Sequence, residues 1–417
     1  MYLSSLGSHT SKIFRFDMYT KTWFCIHIIE KDIQYRSFVY VNSSKVNTKY
    51  SFLTFPPSGE LLTVPVLLAL AKAHGRLGEL KGVASGLPNQ GILIDTLLLQ
   101  EALASSEIEN IVTTQDKVFQ ADLSVGNVTV EAKEVARYRV AMRRGYEKWQ
   151  ENEFISENML IEMYRVLKQR NDGYRMGAGT ILRNEQTGET VYEPPQSQND
   201  IIAYMRQLEQ VINDGDSCND LDPLIKMALI HHKFESIHPF PDGNGRIGRM
   251  LNVLYLIHCG LLEAPILYLS RAINRTKPDY YRLLQEVREN GAWEDWVKYM
   301  LNAVAETAYS TVQLITGIKG LMMQMKHRMR KELPKLYSQD LLNNLFRHPY
   351  TRIEFLERDL PYTRQTARKY LEILNGSGFV NKVSAGRNNY YVNHALVDLF
   401  VPMPLASTSG SEETPTD

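Results

Sequence analysis

His238-Pro239-Phe240-Pro241-Asp242-Gly243-Asn244-Gly245-Arg246-Ile247-Gly248-Arg249 stands between two apolar helical stretches, and its reading decides the fold. The stretch before it puts Leu224, Met227 and Ala228 on one face, and the stretch after it does the same with Ile247, Met250, Leu251 and Leu254. Asp242-Gly243-Asn244-Gly245 is then a tight turn opening onto a helix N-terminus. Glycines let the backbone approach a ligand, while free N–H groups and the helix dipole favour an anion. Arg246 and Arg249, three residues apart, leave the same helical turn, and two guanidinium groups beside an N–H nest suit a polyphosphate. Asp242 offers an oxygen ligand for Mg²⁺ bridging phosphates. His238 stands where it can take a proton from an incoming hydroxyl, a role that contributes about 10²–10⁴ in rate. Alone, a Gly-Asn-Gly is usually a turn, a histidine a satisfied polar group and an arginine pair a solvated face. Their conjunction in this order makes the joint structural explanation improbable.

The rest of the chain sets bounds on that chemistry. Its 417 residues allow two or three domains, and 44% hydrophobic with 23% charged residues is an ordinary globular mix. Lys plus Arg (47) equals Asp plus Glu (47), so no global field argues for nucleic acid or membrane. Cys25, Cys218 and Cys259 are far apart and odd in number, which suits a reducing compartment without a disulfide framework. No apolar run reaches the roughly 18 residues needed to span a bilayer, and no signal-peptide pattern opens the chain. A cytoplasmic protein is expected.

Along the chain, residues 1–48 carry scattered aromatic and β-branched residues without a helical period. They read as a small β extension or as an upstream reading start that adds little, the second preferred. From Pro57 the pattern turns helical. Val66, Ala69, Leu70, Ala73 and Leu77 share a face, Gly86-Leu87-Pro88-Asn89 breaks the run, and a second helix carries Leu97 to Val112, ending near Thr113. Helices are expected over 133–149 and 153–169. Thr180-Ile181-Leu182-Arg183 and Thr190-Val191-Tyr192 then flank Gln186-Thr187-Gly188 as a β-hairpin. A helix over about 199–212, an Asp/Gly/Asn-rich loop and a helix starting at Asp222-Pro223 lead to the motif. Helices resume to about residue 330. Residues 338–400 form a separate module of three helices and two strands, and 401–417 read as a disordered tail.

The segment 238–249 resembles the signature of the Fic family, His-Pro-Phe-x-Asp-Gly-Asn-Gly-Arg-x-x-Arg, without a departure. The resemblance implies a mainly α fold: a helical core over 131–320 with a β-hairpin flap, preceded by a helical segment over 49–130. It also implies a protein adenylyltransferase using Mg·ATP as co-substrate, acting on Ser, Thr or Tyr hydroxyls of protein substrates, itself included. His238 would be the general base and Asp242 the Mg²⁺ ligand. The backbone of Gly243, Asn244 and Gly245 would cradle the α- and β-phosphates with help from Arg246, and Arg249 would hold the γ-phosphate. Thr190, Val191 and Tyr192 would form the flap strand beside the nucleotide, pairing with a target segment through its backbone. Tyr280 would line the adenine site, with a core aromatic as the competing assignment.

Ser105-Ser106-Glu107-Ile108-Glu109-Asn110 resembles the family's inhibitory pattern, Ser/Thr-x-x-x-Glu-Gly/Asn. Ser105 and Glu109 are four apart, and the resemblance implies that Glu109 pairs with Arg249 and holds ATP in a non-productive pose. Residues 335–400 resemble a winged helix-turn-helix domain, with Arg364, Arg368, Lys369, Lys382 and Arg387 as candidate DNA contacts, docking or dimerisation being the other uses of such modules. A homodimer stays open. The alternatives within the fold are removal of AMP, with Glu109 positioning a water, and, from another class, a DNA-binding regulator whose core senses nucleotide.

Overall fold

The computed structural model describes residues 11–17, 22–29, 32–36, 48–53, 57, 60–87, 90–122, 128–183, 187–213, 221–385 and 388–400. Pro88 and Asn89, Gln186 of the hairpin turn, Cys218 with the loop 214–220, Gly386, Arg387 and the tail 401–417 lie outside them. The chain divides into two units, 1–54 and 55–417. In the first, β1 (Ser11–Asp17), β2 (Thr22–Ile29) and β3 (Asp32–Arg36) make an antiparallel sheet in chain order, with Phe14 opposite Cys25 and Ile26 opposite Tyr35. The backbone of these three segments is β.

The second unit is mainly helical. Helix α1 (Val64–Ser85) starts at Thr63, whose side chain accepts from Val66 N–H, and carries Pro65 in its first turn, where a missing N–H costs nothing. Val66, Ala73, Leu77, Leu80 and Ala84 form its buried stripe. Helix α2 (Gln90–Ile108) is shorter than its periodicity suggests: Val112 is 68% exposed, and the chain turns at Glu109-Asn110. Asn110 takes φ 60, a left-handed position that glycine and asparagine tolerate best, which gives the Gly/Asn preference of that position a physical reason. Next come α3 (Gln115–Asp122), which the pattern does not announce, then α4 (Val130–Asn152) and α5 (Glu157–Lys168).

The hairpin is β4 (Leu182–Arg183) against β5 (Thr190–Tyr192), antiparallel and irregular in register, so its first strand is shorter than expected. Helices α6 (Gln198–Asn213) and α7 (Pro223–Ile237) follow, α7 capped by Asp222. Every residue of α7 from Leu224 onward is buried, because α6, α8 (Asn244–His258) and a later helix enclose it. Helices α9 (Leu269–Arg275) and α10 (Lys277–Asn290) lead to α11 (Trp293–Glu332), a 40-residue spine along which α1 packs.

The C-terminal module runs α12 (Gln339–Arg347), β6 (Tyr350–Thr351), α13 (Ile353–Asp359), α14 (Arg364–Gly376), β7 (Asn381–Ala385), β8 (Asn388–Val392) and α15 (His394–Asp398). Its sheet order is β6-β8-β7, all antiparallel. The two residues of β6 are too short a run to show a period of two, and Phe379 and Val380 precede β7 as buried residues. Three of the candidate nucleic-acid contacts are exposed on α14; of these, Arg364 pairs with Glu354 and Glu357, while Lys382 on β7 pairs with Glu372.

Candidate active site

The site is the junction between α7 and α8. Helix α7 ends where His238 turns left-handed (φ 50, ψ 58), a conformation that costs an L-residue roughly 1–2 kcal/mol. Surrounding bonds hold it there. Arg175 Nε donates to His238 O at 2.8 Å, the Arg175 guanidinium also donates to Pro195 O, and Arg175 N–H donates to Pro239 O at 2.9 Å. Phe240 is fully buried and stacks on Tyr164 (4.4 Å, 7°), anchoring the loop. Asn244 closes it: its Oδ1 accepts from Phe240 N–H and its Nδ2 donates to Phe240 O, both at 2.8 Å. The Asn244 side chain is therefore bound to the loop's own backbone, and only its main chain faces the space above α8. Gly243 opens α8 at φ 77 with no side-chain cap, leaving the N–H groups of the first turn without an intrahelical acceptor.

The His238 residue is half-buried, with its Nδ1 turned away from solvent and the Glu235 backbone beside the ring. Burial first, then the charges of Arg288 and Arg175, push its pKa down to about 4, so the ring is neutral at pH 7 and able to accept a proton. Asp242 sits at the mouth, its side chain 61% exposed. Its Oδ1 accepts from Gly243 N–H at 2.6 Å and its Oδ2 lies 2.6 Å from Lys168 Nζ. Burial would raise this carboxyl, but Lys168 and Arg246 outweigh it and hold it below the usual carboxylate range.

Arg246 and Arg249 are each 1% exposed, in different company. Arg246 Nη1 donates to Glu134 Oε1 at 2.7 Å, and Lys168 bridges Glu134 to Asp242. Arg249 Nε donates to Ser105 Oγ, and its Nη2 donates to Ser105 O and to Glu109 Oε1, at 2.9, 2.9 and 2.8 Å. Glu109 reaches so far over α8 that a Cβ at Gly245 would overlap its Oε1, so a side chain there would displace the carboxylate.

At the hairpin, Tyr192 is buried and donates from its hydroxyl to Ser236 O at 2.9 Å, with the Arg288 guanidinium 4.0 Å above its ring. Val191 O accepts from Gln285 Nε2 at 3.0 Å, while Thr190 and the Val191 side chain are exposed. The strand is thus fastened beside His238 through one side chain and one carbonyl. Tyr280 is buried among His231, Trp296 and Tyr299, its hydroxyl 2.9 Å from His231 Nε2. It occupies the core position that competes with an adenine-lining role, and its neighbour Tyr281 is 45% exposed.

Three family descriptions match in tandem. "Fic/DOC family N-terminal" matches residues 67–147, "Fic/DOC family" 154–256, and "Protein adenylyltransferase SoFic-like, C-terminal domain" 321–396. The chain carries a Fic/DOC domain preceded by that family's N-terminal domain. An Aquifex aeolicus protein described as "Probable protein adenylyltransferase" is 28% identical over 204 residues, 47% of this chain and 57% of that one. "Protein adenylyltransferase fic-1" of Caenorhabditis elegans is 27% identical over 167 residues, 40% of this chain and 30% of that protein. The chain thus spans less than two thirds of the length of these relatives. A crystal structure of a Fic family protein from Desulfovibrio desulfuricans G20 shares the fold, with a TM-score of 0.52 at 21% identity, covering 80% of this chain and 97% of the other.

Several residues that hold this Fic site were not singled out from the sequence. Arg175, Glu134 and Lys168 lie on separate elements, and no spacing links them to the motif. Glu101 and Glu235 left a usable sign, each being an acid within an apolar helical run. Glu101 accepts from Tyr138 Oη at 3.1 Å, from Ser270 N–H at 3.2 Å and from the Ser270 hydroxyl, fastening α2 to α4 and α9. Glu235, three residues before His238, is buried with Oε1 unpartnered. Burial pushes both acids up to about 7, against the opposing charge of Arg249. Among the described residues no cluster of three or more His, Cys, Asp or Glu could hold a metal on its own, and no helix is long and apolar enough to cross a membrane.

Proposed function

We propose that the chain is a protein adenylyltransferase that moves AMP from ATP to Ser, Thr or Tyr hydroxyls of proteins, itself included, and that Glu109 restrains it. The observation that carries this is the buried Arg249, held by Ser105 and Glu109 directly above the open N-terminus of α8. The names of the relatives support the same reaction class. In this reaction the hydroxyl oxygen bonds to the α-phosphorus, the bond from that phosphorus to the α–β bridging oxygen breaks, and pyrophosphate leaves. His238, neutral at pH 7, takes the hydroxyl proton. The first-turn N–H groups of α8 with Arg246 hold the α- and β-phosphates, and Arg249 holds the γ-phosphate once Glu109 withdraws. Thr190, Val191 and Tyr192 present the target segment by backbone pairing, which orients its hydroxyl toward His238.

The donor set fits Mg²⁺ shared with a substrate. One carboxylate, Asp242, stands ionised at the mouth, and this cation commonly binds through one or two carboxylates plus phosphate oxygens. Mg²⁺ there would neutralise phosphate charge, with Lys168 leaving Asp242 to admit it. Helices α1 and α2 form the inhibitory segment, α4 to α11 the catalytic core, and α12 to β8 a winged-helix module.

Labelled ATP tests this. Glu109→Gly should raise self-labelling about ten- to a hundredfold, the equivalent of one or two hydrogen bonds to a charged group, and His238→Ala should abolish it in either background. Labelling by Glu109→Gly at or below the wild-type level would remove the restraint from this scheme. Labelling that survives His238→Ala would remove the base.

A further inference from the structure

A second concave site lies away from the motif, between α2, α4 and the C-terminal module. It is a cavity of about 590 Å³ with Asp95, Arg139 and Arg143 on one wall and Arg347, Arg352, Arg358 and Asp359 on the other. Five arginines therefore face two aspartates. Asp95 is shared by Arg143 and by Arg347, whose Nε is 2.7 Å from Oδ2. Asp359 is shared by Arg358 at 2.6 Å and His348 at 2.8 Å. At the rim, Glu354 lies 3.7 Å from Arg352 but is drawn closer by Arg364, at 3.0 Å. Arg352 Nε is buried without a hydrogen-bond acceptor.

Arg143, Arg347 and Arg358 keep 46%, 39% and 57% of their side chains exposed while Asp95 and Asp359 keep 11% and 16%, so the cationic groups are what face solvent in the cavity. Here the bases exceed the acids within a concavity of small-ligand size, which typically spans about 300–1,000 Å³. Guanidinium forks bind the oxygens of a phosphate in pairs, and several forks converging on one cavity suit a group with three or more acceptor oxygens. Phe355 offers no open face for a planar base, since Arg352, Arg358 and His348 already lie against it. The charged groups are what the cavity has to offer. We propose that this cavity binds the phosphate groups of a small phosphorylated ligand, and that Arg139, Arg352 and the arginines now sharing Asp95 contact it. The concave shape favours a small molecule over an acidic peptide. This site stands independently of the reaction proposed for the α8 motif.

The test is calorimetry on the full chain with inorganic pyrophosphate. Because the motif also suits pyrophosphate, an Arg249→Gln form serves to weaken that site. In this form pyrophosphate should bind with a Kd below about 1 mM. Adding Arg139→Gln and Arg352→Gln should weaken binding about tenfold or more. Lysine at both positions keeps the charge and guards against misfolding; it should still weaken binding several-fold, because the fork is lost. No saturable binding in Arg249→Gln, equal binding in the lysine form, or binding of poly-glutamate but not pyrophosphate would each overturn the assignment.

Discussion

Arg246 and Arg249 lie one helical turn apart on α8, equally buried, yet the two sides of that turn are built differently. The carboxylate facing Arg246 is Glu134, within α4, 15% exposed and also bonded to Lys168. The carboxylate facing Arg249 is Glu109, 30% exposed, in the turn after α2 has ended. A partner held within a packed helix cannot leave without unfolding its surroundings, whereas one on a turn can swing out by local motion. Under the proposed restraint, the same residue type on the same helix is a fixed strut on one side and a removable latch on the other.

The largest expected effect separates them by stability. Glu134→Ala strips a partner from a buried guanidinium and leaves Lys168 with Asp242 alone, which should cost about 3 kcal/mol. Glu109→Gly leaves Arg249 both bonds to Ser105 and should cost about half as much, about 1.5 kcal/mol. Urea unfolding of both variants measures this. Equal losses would erase the distinction. Labelled ATP should also divide them by sign, with Glu134→Ala lowering AMP transfer and Glu109→Gly raising it.

A smaller effect lies in the shaft of the latch. Glu101 is fully buried and protonates near pH 7 when folded, against the ordinary carboxylate range when unfolded. A carboxyl raised in this way stabilises the fold at low pH, and that contribution fades as pH rises through about 7. Glu101→Gln does not titrate. Its stability relative to wild type should therefore climb by about 2 kcal/mol between pH 5 and pH 8. A difference that stays flat across this range would mean that Glu101 remains ionised, held by Ser270 and Tyr138.

How much of this was legible beforehand follows from where each interaction lives. The motif could be read because its parts are contiguous: a base, an acid, two glycines and two arginines within twelve residues need no tertiary information. The Ser105–Glu109 pattern could be read only through its resemblance, and its secondary structure was overextended because the apolar period runs on to Val112 while Asn110 reverses the chain. The hairpin was legible in its Thr190–Tyr192 strand, but the Tyr192 bond to Ser236 crosses 44 residues and has no local signature. Glu134, Lys168 and Arg175 shape the site from three separate elements, and the arginine-lined cavity joins two helices to a module more than 200 residues later. Arg246 and Arg249 look alike in sequence, and only their neighbours make one a strut and the other a latched group.

The smallest test isolates Ser105. Its backbone carbonyl and its hydroxyl each accept from Arg249, so Ser105→Ala removes one bond of three and leaves the carbonyl and Glu109 in place. Losing one hydrogen bond to a charged group, partly offset by the bonds that stay, should weaken the latch by about 1 kcal/mol, a fivefold change in equilibrium. Self-labelling should rise a few-fold in Ser105→Ala, clearly less than in Glu109→Gly, and Thr at this position should restore the wild-type level because its hydroxyl can take the same place. A rise as large as that of Glu109→Gly would move the weight of the latch from the turn to the last turn of α2. That would make the restraint a property of the helix, as firmly built as the Glu134 side, and the contrast between the two arginines would reduce to a difference in partner number.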